Sequence, residues 1–137
     1  MERFEVAARI AEDSVPLADW ALCHIRLMDD RRYPWLLLLP RRAGLEEWTD
    51  LDPGEQAELA REIGRAGAAL GETVPFDKLN VAAIGNIVRQ LHVHVVGRRI
   101  GDPAWPGTVW GQGTREPYAA AERDDLVAAL RRRLYPA

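Results

Sequence analysis

The stretch of this chain best suited to chemistry is Gln90-Leu91-His92-Val93-His94-Val95-Val96. Side chains of an extended strand alternate between faces, so Gln90, His92, His94 and Val96 share one side and Leu91, Val93 and Val95 the other. A pair of imidazoles behind an amide is thereby presented in a row, with a flank apolar enough to enter a core. Such a pair is open to three chemistries. The rings can be polar residues on a solvated sheet face. They can share a metal ion, since neutral imidazoles two apart on a strand both reach it; nothing in the spacing of His24, the remaining histidine, ties it to them. Or one ring can attack an electrophile such as phosphorus while the other supports the transition state. Neutral imidazole is nucleophilic near pH 7 and leaves readily once water attacks.

The elements that must position this stretch can be read from hydrophobic pattern and turn residues. Residues 4–12 read as a short helix ahead of Pro16. Residues 21–28 read as a strand and Asp29 to Arg32 as a polar turn. Trp35 to Leu39 reads as a central strand ended by Pro40, which cannot donate to a ladder. Together the two strands suggest an antiparallel hairpin. Asp52, Pro53 and Glu55 form a helix start, with cap, first-turn proline and capping-box glutamate. Leu59, Ile63, Ala66 and Leu70 then make one apolar stripe. Beside it run Ala60, Gly64, Gly67 and Gly71, a stripe that calls for close packing, because helical glycine costs up to ~1 kcal/mol against alanine. Residues 79–84 and 91–96 read as strands, 97–117 as a long structured loop containing Trp105 and Trp110, and 122–134 as a closing helix with Arg131 to Arg133 at its solvated end. The order strand, strand, helix, strand, strand, helix predicts an α+β domain with a mostly antiparallel sheet and two main helices.

Composition narrows the function classes. The 137 residues are one domain's worth, so a single domain over 1–137 is expected. A net charge of -3 disfavours a nucleic-acid partner. Lys78 is the only lysine among the 18 basic residues. No apolar run approaches the ~20 residues of a membrane helix, and Met1 to Glu5 lacks the basic-then-apolar layout of a signal peptide. No membrane partner and a cytoplasmic location are therefore expected. The single cysteine, Cys23, excludes an internal disulfide and reads as a buried inert thiol.

The histidine stretch resembles the signature of the histidine triad (HIT) superfamily, His-φ-His-φ-His-φ-φ with φ apolar, written here as Gln90-φ-His92-φ-His94-φ-φ. Its surroundings are similar too: Trp35 to Arg41, the helix after Asp52, Asn80, the Gly85-Asn86 turn and Trp105-Pro106-Gly107, over roughly residues 20 to 110. The resemblance implies a HIT-like fold and a nucleotide-binding hydrolase, phosphoramidase or nucleotidyl transferase acting at an α-phosphate, without metal or other cofactor. It implies a homodimer that joins two sheets into one. It assigns catalysis to Gln90, His92 and His94. His92 would be the nucleophile, with Nδ1 held by a main-chain carbonyl and Nε2 free, and His94 would hydrogen-bond the phosphoryl oxygens. Asn80 and Asn86 match polar residues near ribose or phosphate, and Asp29 or Asp30 could bind ribose hydroxyls; Trp105 and Trp110 could stack on a base, pack beneath their loop or form a dimer contact. Gln90 departs from the pattern, since it can hydrogen-bond but cannot carry a proton at neutral pH. Restoring histidine there is expected to preserve or raise activity. The alternatives are a non-catalytic nucleotide-binding module and a metal-binding protein using His92 and His94.

Overall fold

The computed structural model describes residues 3–135; Met1 and Glu2 of the amino-terminal reading and the last two residues of the expected 1–137 domain lie outside the described residues. Strands β1 (Ser14–Asp19), β2 (Cys23–Met28), β3 (Trp35–Pro40), β4 (Lys78–Ala83) and β5 (Val93–Arg98) form one antiparallel sheet in the order β1-β2-β3-β5-β4. Helix α1 spans Ala8–Asp13, α2 Pro53–Thr73 and α3 Ala120–Leu134. The α+β class, the antiparallel sheet and the two main helices follow the pattern expected from the sequence. The apolar run Trp35 to Leu39 does lie at the centre of the sheet, where both faces of a strand are covered, and every residue of β3 is buried.

The helix start also follows from its residues. Asp52 Oδ1 accepts from Glu55 N at 2.8 Å and Asp52 N donates to Glu55 Oε1 at 3.0 Å, so two otherwise unpaired amides are satisfied. Two of the α2 glycines mark close approach. A Cβ on Gly67 would sit 2.9 Å from Leu79 Cδ2, and one on Gly71 3.4 Å from the Phe76 ring. Gly64 faces open space.

Two departures matter for the site. Residues 14–19 form an edge strand that the sequence reading did not assign, because Pro16 argues against a strand. Prolines are tolerated at edges and bulges, and the β1–β2 register shifts between Pro16 and Ala18. The expected helix over 4–12 is shorter and later, confined to 8–13, while the described residues before it are neither helix nor strand.

The sheet has two differently covered faces. On one, Ile25, Leu27, Leu36, Leu38, Val93 and Val95 meet Leu59, Ala66 and Leu70 of α2 and Leu130 and Leu134 of α3. At ~1.5–3 kcal/mol for each large apolar side chain buried, this face dominates stability. On the other, Tyr33, Trp35, Leu37, Leu39 and Val96 are covered by no long helix. Instead the segment around Phe4 to Ile10 and the loop bearing Ala104, Val109 and Trp110 lie over them. Cys23 is fully buried, and burial together with the Glu62 carboxylate pushes its thiol pKa up, so it is inert. No helix among the described residues is long and apolar enough to cross a membrane.

Candidate active site

His92 and His94 lie on the second face, between those two coverings. Alternation holds: Leu91, Val93 and Val95 are buried in the helix-side core, while the two rings stand on the opposite side, centroids 4.9 Å apart and edge-to-face. Each ring has its tautomer set by one neighbour. A backbone carbonyl can only accept, so the 2.6 Å contact between His92 Nδ1 and Gln90 O puts the proton on Nδ1 and leaves a lone pair on Nε2. An indole N–H can only donate, so Trp35 Nε1, at 3.0 Å, makes His94 Nδ1 an acceptor. Neutral His94 then carries its proton on Nε2. Trp35 reaches it because β3 pairs with β5 so that Leu37 faces His94, and alternation places Trp35 on the same side.

The pair thus offers one nucleophilic nitrogen and one fixed N–H donor. Burial, with a smaller contribution from His92, pushes the His94 pKa from 6.5 down to about 3, so His94 is a neutral donor at pH 7. This has a consequence for stability. Between about pH 6.5 and about pH 3 the unfolded chain binds a proton on this ring that the folded chain excludes. Stability gained above pH 6.5 is therefore lost as pH falls through that window, by up to ~1.4 kcal/mol per pH unit. His94→Gln, which keeps an acceptor for Trp35, is expected to flatten that slope in urea unfolding series at pH 7, 6, 5 and 4. An unchanged slope would mean that His94 is not held neutral.

Both rings border a cleft of about 440 Å³, within the ~300–1,000 Å³ common for small-ligand sites. Its apolar lining includes Trp35, Ile84, Ile87, Val109 and Trp110, and its charged lining Arg9, Asp13, Asp30, Arg32 and Arg115. Trp110 stands edge-on to His94 with centroids 5.3 Å apart. Arg32 holds Asp30 through Nη2–Oδ2 at 2.8 Å and Nε–Oδ1 at 3.0 Å. Arg115 pairs with Asp13 at 3.4 Å and donates to Asp29 O.

Of the residues singled out from sequence, His92, His94, Asn86, Asp30 and Trp110 line this cleft. The others are placed elsewhere, each by a specific partner. The Gln90 side chain is taken by the segment ahead of α1, donating to Glu5 O and accepting from Ala7 N. Asn80 Oδ1 accepts from Arg98 Nη1. Asp29 accepts from Tyr118 N, and it is the neighbouring Asp30 that faces the cleft with its oxygens already taken by Arg32. Trp105 packs beneath its loop, 5.7 Å from the Arg98 guanidinium. Sequence reasoning gave no site role to Arg9, Arg32 and Arg115 and weighed Trp110 only beside Trp105. The one local signal for Trp110 was the glycine-rich tip that follows it, where Gly111 and Gly113 adopt positive φ. His92 and His94 are the imidazoles available to a metal here. Among the described residues no group of three or more His, Cys, Asp or Glu converges on one point.

The family model for the HIT domain matches residues 11–101, the span from α1 through β5. The chain belongs to the histidine triad (HIT) family. Three solved HIT structures resemble it over nearly their whole length. A histidine triad protein from Bradyrhizobium japonicum is 43% identical, with TM-score 0.94 over 98% of this chain and 100% of that one. One from Sinorhizobium meliloti is 45% identical, with TM-score 0.91 over 95% and 96%. One from Marinobacter aquaeolei is 38% identical, with TM-score 0.93 over 97% of each chain. Among curated proteins none matches the chain significantly. In this HIT protein the first triad position is therefore glutamine, and the His92–Gln90 carbonyl bond is formed without a histidine there.

Proposed function

We propose that this HIT protein binds a nucleotide or nucleotide conjugate in the histidine cleft and acts on its α-phosphate as a hydrolase or nucleotidyl transferase. The observation that carries this reading is the 2.6 Å bond from His92 Nδ1 to Gln90 O, which in the neutral ring leaves the Nε2 lone pair free on a residue that lines the cleft. In the first step Nε2 attacks phosphorus, and the bond to the leaving group breaks with its electron pair; the leaving group takes a proton from water. Charge developing on the ring is stabilised through Nδ1–H and the Gln90 carbonyl. The His94 Nε2–H supplies a donor for a phosphoryl oxygen, set in place before the reaction. Water or another acceptor then attacks, giving up its proton to the solvent hydroxide left by the first step, and the phosphorus–nitrogen bond returns its electrons to His92. Asn86 and Trp110 are the cleft residues suited to the nucleoside. Mass spectrometry of protein quenched during turnover of a nucleoside phosphoramidate tests the reading. A nucleotidyl adduct on the His92 peptide is the expected result, and turnover without any adduct would remove the covalent step.

The second reading is a nucleotide-binding module without turnover, favoured by the engagement of the Gln90 carboxamide with Glu5 O and Ala7 N, which ties up the side chain at the first triad position. Nucleotide binding with no phosphoramidate turnover would establish it. Metal analysis of untagged protein tests the metal-binding alternative.

A homodimer is part of the same proposal. Strand β4 is a sheet edge and leaves Leu79 and Val81 at 39% and 46% exposure. Pairing two such edges would satisfy free backbone groups and cover those side chains. Size-exclusion chromatography with light scattering is expected to give about twice 15.4 kDa. A monomer at micromolar concentration would count against it.

A further inference from the structure

The segment ahead of α1 is fastened by one side chain. Gln90 Oε1 accepts from Ala7 N at 2.8 Å, and Gln90 Nε2 donates to Glu5 O at 2.7 Å. This is the two-point pairing that one residue of a neighbouring parallel strand would make through its N–H and C=O. Around that clasp, Phe4, Val6 and Ala7 pack on the aromatic face of the sheet, and Phe4 meets the His24 ring edge-on at 6.4 Å. The chain then enters α1, whose Arg9 and Asp13 border the cleft beside both histidines. Of the three arginines lining the cleft, Arg32 is held by Asp30 and Arg115 by Asp13. Arg9 makes no hydrogen bond or ion pair with any described residue, although it borders the same small recess as His92 and His94.

We propose that Gln90 is a positioning residue that docks residues 4–13 as a strap beside the histidines, and that Arg9 on this strap binds the substrate phosphate. This rests on the nucleotide reading above. The chemistry of the carboxamide explains why glutamine suits the position. Its donor and acceptor lie side by side and match the Glu5 carbonyl and the Ala7 amide, which flank Val6 on one edge of the segment. The ring nitrogens of histidine diverge and cannot serve both, and a carboxylate has no donor for Glu5 O. The free guanidinium offers planar donors suited to phosphoryl oxygens. Gln90 thus acts on ligand binding through Arg9 and not by touching the reacting atoms. The expectation that Gln90→His preserves or raises activity is accordingly reversed: that variant unfastens the strap.

The test is calorimetric titration with AMP and, separately, adenosine, using wild type, Arg9→Gln, Arg9→Lys, Gln90→Glu, Gln90→His and the double variant Arg9→Gln/Gln90→Glu. Amide hydrogen exchange across residues 5–8 is followed in the unliganded proteins. Arg9→Gln is expected to weaken AMP about tenfold, equivalent to about 1.4 kcal/mol, and to leave adenosine unchanged, with Arg9→Lys in between. Gln90→Glu and Gln90→His are expected to weaken AMP similarly, to speed exchange at Ala7, and to add nothing to Arg9→Gln in the double variant. Arg9 is exposed, so its substitution tests the phosphate contact even where a Gln90 variant fails to fold. Unchanged AMP affinity in Arg9→Gln, with wild type binding AMP, overturns the proposal and leaves the nucleotide reading standing. Equal losses for AMP and adenosine in the Gln90 variants, or additive losses in the double variant, overturn the action of Gln90 through Arg9. Unchanged exchange at Ala7 overturns the clasp. If wild type binds neither ligand, the nucleotide reading fails and the assignment of Arg9 falls with it.

Discussion

His92→Ala is expected to lower turnover of a nucleoside phosphoramidate by about 10⁴-fold or more, the scale seen when a nucleophile is deleted, with little change in KM. The size follows from the lack of a substitute. His94 is near enough to compete, its ring centroid 4.9 Å from that of His92 and edge-on to it, but it presents no free lone pair. Its nitrogens are occupied in the wrong sense, since Nδ1 accepts from Trp35 and Nε2 carries the proton. Deprotonating that Nε2–H to make it nucleophilic would require an imidazolate. No other cleft group has a free lone pair on a nucleophilic nitrogen among the described residues. Single-turnover rates for wild type and variant provide the check, with AMP affinity measured in parallel to separate chemistry from binding. Turnover at the wild-type rate would exclude covalent catalysis at His92 and point to direct attack by water.

The parts of this site that were legible in the sequence are those governed by short-range rules. Period-two alternation was enough to put His92 and His94 on one face and Leu91, Val93 and Val95 in the core. Asp52, Pro53 and Glu55 announced α2 for equally local reasons. What escaped depends on contacts far apart in sequence. Gln90 shares the histidine face by alternation, yet its side chain answers to Glu5 and Ala7, more than 80 positions away. Nothing in Asp29-Asp30 reveals which carboxylate points inward; Arg32 decides it by closing on Asp30. The first turn of the helix expected at 4–12 is lost because docking of residues 4–7 on Trp35 and its neighbours, together with the Gln90 clasp, outweighs the local preference of a short helix that would be marginal alone.

Asn80 and Trp105 were drawn from the same resemblance as the histidines, but both belong to a buried ion pair that supports the cleft from behind. Arg98, at the end of β5, donates to both oxygens of Asp102 at 2.8 and 2.9 Å, to Asn80 Oδ1 at 3.0 Å and to Gly107 O at 2.8 Å. The two charged side chains are 2% and 6% exposed. The guanidinium therefore ties β5 and β4 to the loop that continues to Val109 and Trp110 over the histidines. Arg98→Met keeps much of the side-chain volume but leaves the Asp102 carboxylate buried without its cation, and leaves two carbonyl oxygens without their donor. Removing one partner of a buried pair costs about 3–5 kcal/mol, so a loss of that order in urea unfolding at pH 7 is expected. The pH dependence gives the cause away. In the wild type the bond to Arg98 holds the Asp102 pKa below the usual carboxylate range, so its stabilisation is present above the unfolded pKa and fades as pH falls. Without Arg98, burial favours the protonated acid, so the gap between variant and wild type is expected to narrow from pH 7 towards pH 4. Replacing both residues, Arg98→Met with Asp102→Leu, removes the stranded charge and is expected to cost less than the sum of the single changes. A gap that stays constant with pH, together with strictly additive losses, would show that Arg98 contributes packing alone and that the loop over the histidines is held by other means.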